Sequence, residues 1–164
     1  MRLIKLVLIS AVVLFGIITA IASLLPSHVR ISRAVDISAP PMAVYPKLSD
    51  IKAWESWNEF VQLYHHKRWG NDRLGTDEMN ITLMQKTDSL VTSDWQQPGG
   101  YRFSAGYRLI GYPDQPGRCT LQWYFDFHVR WYPWEKFQSI VYDQQLGPVM
   151  EKSLQNVKRQ LETQ

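Results

Sequence analysis

Three groups of side chains in this sequence are of types that do chemistry in enzymes. His65 and His66 are adjacent, and adjacent side chains on a strand point to opposite faces, so they cannot bind one metal ion together. Asp126 and His128 lie two residues apart on one face of a predicted strand, where they could form an acid–base pair. That face is opposite an apolar one, so we expect it to be solvated. Cys119 has no neighbouring motif typical of a nucleophile.

The sequence contains no HExxH motif, no glycine-rich phosphate loop and no paired CxxC motif. We therefore predict no catalytic residue, no metal site and no cofactor. Its aromatic content, 7 Trp, 8 Tyr and 6 Phe, is a stronger feature. Aromatic side chains line ligand cavities and also fill cores, so both roles are open for each of them. The residues that could line a cavity are Trp54, Trp57, Phe60, Trp69, Tyr107, Trp123, Phe125, Phe127 and Phe137.

An apolar segment near the N-terminus determines where such a cavity would work. Leu6 to Leu25 contains no charged residue, and 20 residues of helix span about 30 Å, the thickness of a bilayer core. Arg2 and Lys5 precede the segment, and Pro26 ends it. We predict an uncleaved membrane anchor over residues 1–28, with the N-terminus cytoplasmic and the domain outside the cytoplasm.

A cleavable signal peptide is the alternative interpretation of the same segment. Ala20-Ile21-Ala22 has the small-x-small form of a signal-peptidase site, and cleavage there would release a secreted or periplasmic protein. The apolar stretch, however, is longer than the 7–15 residues of a signal peptide's apolar region, and it continues past this site. Its length therefore favours the anchor.

The remainder, residues 29–164, is long enough for one domain with its own core. It carries 16 basic and 15 acidic residues without a basic block, so nothing in its charge favours a nucleic-acid partner. Its single cysteine allows no intrachain disulfide, so packing must hold the fold together.

Hydrophobic periodicity predicts an α+β order of elements. Period-two alternation from Val29 to Ile37 predicts a first strand, and two short helices follow from Pro40 to about Trp54. Further strands are predicted near Val61–Trp69, Glu78–Thr87, Leu90–Gln96, Tyr101–Tyr112 and Cys119–Trp131. The short breaks between these strands indicate an antiparallel meander. Pro113-Asp114-Gln115-Pro116-Gly117 is one such break.

A helical stripe ends the chain. Its apolar members are Val149, Met150, Leu154, Val157 and Leu161, and Gly147-Pro148 is expected to start or kink this helix. Before it, Trp131-Tyr132-Pro133-Trp134 could form an aromatic belt resting on a bilayer.

The opening stretch Ile31-Ser-Arg-Ala-Val-Asp-Ile-Ser-Ala-Pro-Pro-Met-Ala-Val-Tyr-Pro-Lys-Leu-Ser-Asp-Ile-Lys-Ala-Trp-Glu-Ser-Trp57 resembles the START-like or SRPBCC superfamily. In that superfamily an apolar strand runs into Ala-Pro, a Val-Tyr helix and a Trp-x-x-Trp loop. The tail from Gly147 to Leu161 is similar to its closing helix. The resemblance implies a helix-grip fold, in which a curved antiparallel sheet wraps round a long C-terminal helix, here preceded by one N-terminal transmembrane helix. It also implies an apolar cavity between sheet and helix that holds lipids or other hydrophobic molecules.

The resemblance does not by itself imply catalysis, because one fold hosts binders and enzymes alike. We predict non-catalytic binding of a hydrophobic small molecule or lipid beside the membrane. The alternative is a small cyclase, dehydratase or hydrolase acting in the same cavity. A third hypothesis is a scaffold with a collapsed core, which would contain no sizeable void.

Overall fold

The computed structural model describes residues 2–163 as helices at both ends of the chain with a sheet between them. The first half of the chain forms α1 (Arg2–Ser23), β1 (His28–Ile37), α2 (Pro41–Ser49), a 3₁₀ helix (Ile51–Ser56) and α3 (Glu59–Leu63). Six strands follow, β2 (Arg68–Trp69), β3 (Arg73–Gly75), β4 (Asn80–Thr87), β5 (Leu90–Gln96), β6 (Arg102–Tyr112) and β7 (Gln115–His128). The chain closes with α4 (Pro133–Ile140) and α5 (Tyr142–Glu162).

All seven strands belong to one antiparallel sheet in the order β1-β7-β6-β5-β4-β3-β2. Sequential strands pair along the meander, and β1 closes the far edge beside β7. α5 packs against β1 and β7 across the concave face, through the buried residues Met150, Leu154 and Val157. This confirms the predicted α+β helix-grip fold.

The predicted alternation along β7 is present, with one exception on its outer face. Leu121, Trp123 and Phe125 are buried on the inner face as expected. Tyr124 points outward but is also buried, because its ring covers Gly106 of β6 and the Arg30 guanidinium stacks 4.5 Å from its centroid. A Cβ at Gly106 would collide with the Tyr124 ring, so this close approach requires glycine.

A charged residue on the apolar face of β1 ties the sheet to α5. The Arg33 guanidinium donates to Asp143 Oδ1 at 2.9 Å and to Glu151 Oε1 at 2.7 Å, both on α5. It lies across α5 where Gly147 has no side chain, and a Cβ there would collide with it. Gly147 and Pro148 lie inside α5, which begins at Tyr142, so the predicted helix start at these residues is wrong and the alternative, a kink, stays a prediction.

Two predicted boundaries in the sheet are wrong. The segment Val61–Trp69 is mostly not a strand: it contains the end of α3, a loop and the two-residue β2. A helix begins here instead, because the Asn58 side chain caps it by accepting hydrogen bonds from the N–H groups of Phe60 and Val61. His65 and His66 consequently lie in a loop.

The second wrong boundary is at β7. The connection from β6 is shorter than predicted, since Tyr112 pairs with Gln115 across two residues. Pro116 and Gly117 belong to β7, at a register shift where a missing N–H is tolerated. β7 ends at His128, so Trp131 lies beyond the strand that was predicted to include it.

α1 extends away from the sheet with nearly all of its side chains exposed. It is long and apolar enough to cross a membrane, a property that signal sequences near an N-terminus share. Only its final turn packs against the rest of the chain, where Ala22 is buried and α4 lies alongside.

The packing of α5 generates the first prediction. Leu154→Asp should lower the free energy of unfolding by about 3 kcal/mol or more, because it removes apolar burial and places an unpaired carboxylate in the core. Gln155→Asp, at the neighbouring exposed position, is the matched control and should leave stability nearly unchanged. Thermal melts of the full chain measure both, and equal melting temperatures would place α5 elsewhere.

Candidate functional site

A cavity of about 460 Å³ lies between the sheet and the start of α5. Its walls come from α3, from the ends of β5 and β7, from the start of β6, and from α4 and the first turns of α5. These strand ends lie at the same end of the sheet as the start of β1, since His28 pairs with His128. The cavity is therefore at the end of the domain where α1 joins it.

The inner wall is apolar and mostly aromatic. Trp95 of β5 stands opposite Phe103 of β6 in the register, with ring centroids 5.8 Å apart. Phe125 of β7 meets both rings edge-on, at centroid distances of 5.4 Å. Edge-to-face contacts of this kind favour the observed arrangement of the rings. Its apolar members are Phe60, Met79, Trp95, Phe103, Phe125, Phe127, Val129 and Leu146.

Neutral polar groups line the other part of the cavity. The hydroxyls of Tyr101 and Tyr142 lie 3.3 Å apart and share one hydrogen bond. Burial raises the pKa of Tyr101 well above its usual range, and its contact with Tyr142 raises it further, so the Tyr101 phenol stays neutral. The amide side chains of this part are Gln97, Gln138 and Gln145.

Glu135 is the one charged residue among those that line the cavity in the described chain, and it is already paired. The Arg130 guanidinium donates to both carboxylate oxygens, the shortest bond being 2.6 Å from Nη2 to Oε1. The Arg130 backbone N–H donates to the same carboxylate at 3.1 Å. These bonds lower the pKa of Glu135, so it remains ionised but has an internal partner.

The nine aromatic candidates divide between three environments. Phe60, Phe125 and Phe127 line the cavity. Phe137 is exposed on α4, and Trp69 lies half-buried on β2 beside a shallow surface depression. The other four, Trp54, Trp57, Tyr107 and Trp123, are completely buried in the filled core deeper under α2 and the 3₁₀ helix.

The polar edges of three core aromatics are already used internally. The indole of Trp54 donates to the Leu48 carbonyl at 2.9 Å, and that of Trp57 donates to the Lys47 carbonyl at 3.0 Å. The Tyr107 hydroxyl accepts a hydrogen bond from the Asn58 amide at 3.3 Å. These side chains thus hold the core together, and in this arrangement they present no group to a ligand.

Several cavity residues were not among the sequence candidates. Tyr64, Trp95, Tyr101, Phe103 and Tyr142 line the cavity together with Met79 and the polar residues named above. The available signal was strand register, because Phe103 and Trp95 share the inner face with Phe125. Unless the register across the β5–β6 turn is known, no sequence pattern distinguishes them from other aromatic residues.

The residues suspected of chemistry all lie outside the cavity. Asp126 accepts two hydrogen bonds from Arg30, at 2.6 and 2.7 Å, and so is not paired with His128. His65 contacts Glu78 in an exposed loop. Cys119 is buried, and burial raises the pKa of its thiol. Among residues 2–163, no group of three or more His, Cys, Asp or Glu side chains is arranged to hold a metal ion.

Comparison with known proteins places this architecture in a family. Residues 28–162 match the sequence profile of the family described as "Polyketide cyclase / dehydrase and lipid transport". Searching curated protein sequences finds no match to this chain.

Solved structures with the same fold are numerous and distant in sequence. A START superfamily protein from Mycobacterium smegmatis has 16% identity and a TM-score of 0.56, with 82% of this chain and 97% of that one covered. A protein of unknown function from Staphylococcus aureus has 13% identity and a TM-score of 0.63, with coverage of 83% and 94%. An aromatase/cyclase from Streptomyces sp. R1128 has 15% identity and a TM-score of 0.56, with coverage of 82% and 94%. At these identities the likeness is one of fold.

The Arg130–Glu135 pair predicts a pH dependence of stability. The pKa of Glu135 is lower in the folded protein than in an unfolded chain, so the pair stabilises above the unfolded value, about 4.3, and this stabilisation is lost as pH falls through the folded pKa. Glu135→Gln should therefore melt below wild type at neutral pH, and the difference should shrink at pH values under about 4. Asp88→Asn, at the exposed β4–β5 turn, is the control for general charge effects. A difference that is constant with pH would contradict the pair's role.

Proposed function

Because the chain belongs to the polyketide cyclase / dehydrase and lipid transport family, we propose that it binds a hydrophobic small molecule or lipid in the cavity without converting it. The observation that carries this proposal is the aromatic wall around about 460 Å³ of open space. Sites for small ligands have volumes of about 300–1,000 Å³ and mainly apolar walls with a few polar groups. A scaffold with a collapsed core would lack such a space.

The titratable side chains at the cavity favour binding over catalysis. General acids and bases work best with pKa values near the operating pH. Burial instead raises the pKa values of Tyr64 and Tyr101, while Arg130 lowers that of Glu135. The cyclase, dehydratase or hydrolase alternative would need a poised group, and these three are shifted away from neutrality.

The polar groups of the cavity suggest the class of ligand. None of the lining residues in the described chain is a lysine, arginine or histidine, so an anionic head group would find no free cation there. Glutamine amides and tyrosine hydroxyls can donate and accept hydrogen bonds to neutral oxygen atoms. We therefore expect a ligand with an apolar body and an uncharged polar end, such as a long-chain alcohol, ester or sterol-like molecule.

We further propose that residues 1–28 anchor this domain, residues 29–164, in a membrane, with the N-terminus cytoplasmic. Support comes from the length and composition of α1 and from the family match, which begins only at residue 28. Tethering raises the concentration of the cavity near a membrane-derived ligand. The short linker from Leu24 to Ser27 keeps the cavity close to the bilayer.

The binding proposal predicts a retained ligand. Native mass spectrometry of the full chain, purified from its own cells, should show one bound molecule of defined mass in addition to any series of annular lipids. Leu146→Trp should lose that molecule, because the larger side chain fills the cavity. Gln144→Trp, exposed on the same helix, is the matched control and should retain it.

Three outcomes of this experiment are informative. Loss of the mass in Leu146→Trp alone supports binding in the cavity, provided that both variants melt like wild type. Release of a molecule chemically changed from its counterpart in the membrane extract would favour the enzyme. If no molecule is retained, or if Gln144→Trp loses it equally, binding in this cavity is wrong.

The anchor proposal predicts an intact N-terminus in the membrane fraction. A reporter active only outside the cytoplasm, fused after Gln164, should be active in the cells that make the protein. Intact mass should include Met1 or begin at Arg2. A soluble protein beginning at Ser23 would instead identify a signal peptide, and an inactive but membrane-bound reporter would reverse the orientation.

A further inference from the structure

The polarity of α4 is inverted relative to a helix on the surface of a soluble protein. Its buried residues are Pro133, Lys136 and Ser139, at three-residue spacing. The exposed ones are Trp134, Phe137 and Ile140, which are 61%, 41% and 58% exposed. α5 shows the ordinary arrangement, with an apolar stripe buried and charged residues outside. The inversion is thus a local property of α4.

Neighbouring residues extend the exposed apolar face of α4. Trp131 before the helix is 64% exposed, and Val141 after it is 38% exposed. Together Trp131, Trp134, Phe137, Ile140 and Val141 form what we call the α4 face. Exposed apolar clusters of this kind mark interaction sites, and tryptophan is enriched where protein meets the membrane interface.

A buried lysine holds α4 at the end of α1. Lys136 Nζ donates to the Leu25 carbonyl at 2.9 Å and to Ser27 Oγ at 2.7 Å, and Lys136 is only 3% exposed. Leu25 lies two residues beyond the end of α1, so the ammonium is close to the negative end of the helix dipole. The lysine thereby places the α4 face within a few residues of the point where the apolar segment ends.

We propose that the α4 face is a membrane-docking surface, which inserts into the interface of the bilayer that holds α1. Continuity with the anchor identifies the occupant: α1 ends beside α4, so a bilayer that surrounds α1 reaches the α4 face without any movement of the domain. In that position the inverted polarity becomes favourable, since the rings and aliphatic side chains leave water while Lys136 remains satisfied inside.

Docking would also orient the cavity. α4 contributes Glu135 and Gln138 to the cavity wall, and the neighbouring strand ends contribute Gln97 and Tyr101. These groups lie at the anchor end of the sheet, whereas the β4–β5 turn lies at the opposite end. A hydrophobic ligand could then pass between bilayer and cavity without crossing open water.

The docking inference rests on the anchoring proposed above, and its quenching test does not depend on ligand binding. The test uses the full chain in nanodiscs of phosphatidylcholine with brominated acyl chains, carrying an environment-sensitive fluorophore on Phe137→Cys. Cys119 is buried and does not compete for the label. Bromine should quench this label at least about twofold relative to unbrominated nanodiscs, as expected for a group that lies 5–10 Å into the headgroup boundary. The same label on Asp88→Cys, at the far end of the domain, should be unquenched.

A second pair of variants avoids any label at the α4 face. Trp131→Ser with Trp134→Ser should lower the amount of retained ligand at an unchanged melting temperature. Ile110→Ser with Tyr112→Ser, which removes a smaller exposed apolar surface near the far end, should leave retention unchanged.

The possible failures can be told apart. An unquenched Phe137→Cys label in a protein that stays in the nanodisc overturns docking. In that case, two copies per disc joined through the α4 face would identify self-association instead. Loss of the protein from the membrane overturns anchoring. If wild type retains no ligand but the label is quenched, the docking surface stands and the binding proposal fails.

Discussion

The packing of α5 across the concave face of the sheet is the contact on which the rest of the structure depends. It buries Met150, Leu154 and Val157. Hydrogen bonds connect α5 near its start to β1 and near its end to the residue that follows β1. Arg33 bridges Asp143 and Glu151 near the start of α5, while the Glu162 carboxylate accepts from the Ser38 N–H near its end. Arg33, which interrupts the apolar face of β1, is therefore paired with the first half of α5, and this pairing adds to the apolar packing.

This arrangement divides the interior into a filled part and an open part. Under α2 and the 3₁₀ helix, Trp54, Trp57, Tyr107 and Trp123 pack with centroid distances of 5.1 to 6.2 Å. Toward the end where α1 joins the domain, α3, the eight-residue α4 and the first turns of α5 surround the cavity, and open space remains between these elements and the aromatic rings of the sheet.

Much of the fold follows from the sequence because it depends on local signals. Alternation along β7, the Ala-Pro-Pro helix start and the α5 stripe each reveal an element without knowledge of its neighbours. The prediction of a strand over Val61–Trp69 is wrong because the Asn58 side chain caps a short helix there, and the apolar pattern of the segment does not distinguish helix from strand. The helix start predicted at Gly147-Pro148 is wrong because α5 already begins at Tyr142, and Gly147 lies where the Arg33 side chain from β1 crosses the helix.

The cavity was harder to predict than the fold because it depends on which aromatics share an end of the sheet. Composition indicated aromatic walls, but filled core and cavity wall use the same side chains: Trp123 and Phe125 are neighbours on one face of β7, yet only Phe125 lines the cavity.

The position of the cavity relative to α1 has a physical consequence for how the domain works. A hydrophobic ligand leaving a membrane for a distant cavity must expose its apolar surface to water, at about 25 cal/mol per Å². That cost depends on the exposed area and not on the distance travelled, so it is avoided only where the ligand passes directly from bilayer to cavity. Here the tether, the inverted helix and the cavity converge at one end of the domain, and Lys136 links the first two directly. The proposed anchoring and docking would therefore let the aromatic cavity take up a ligand without its desorption into water.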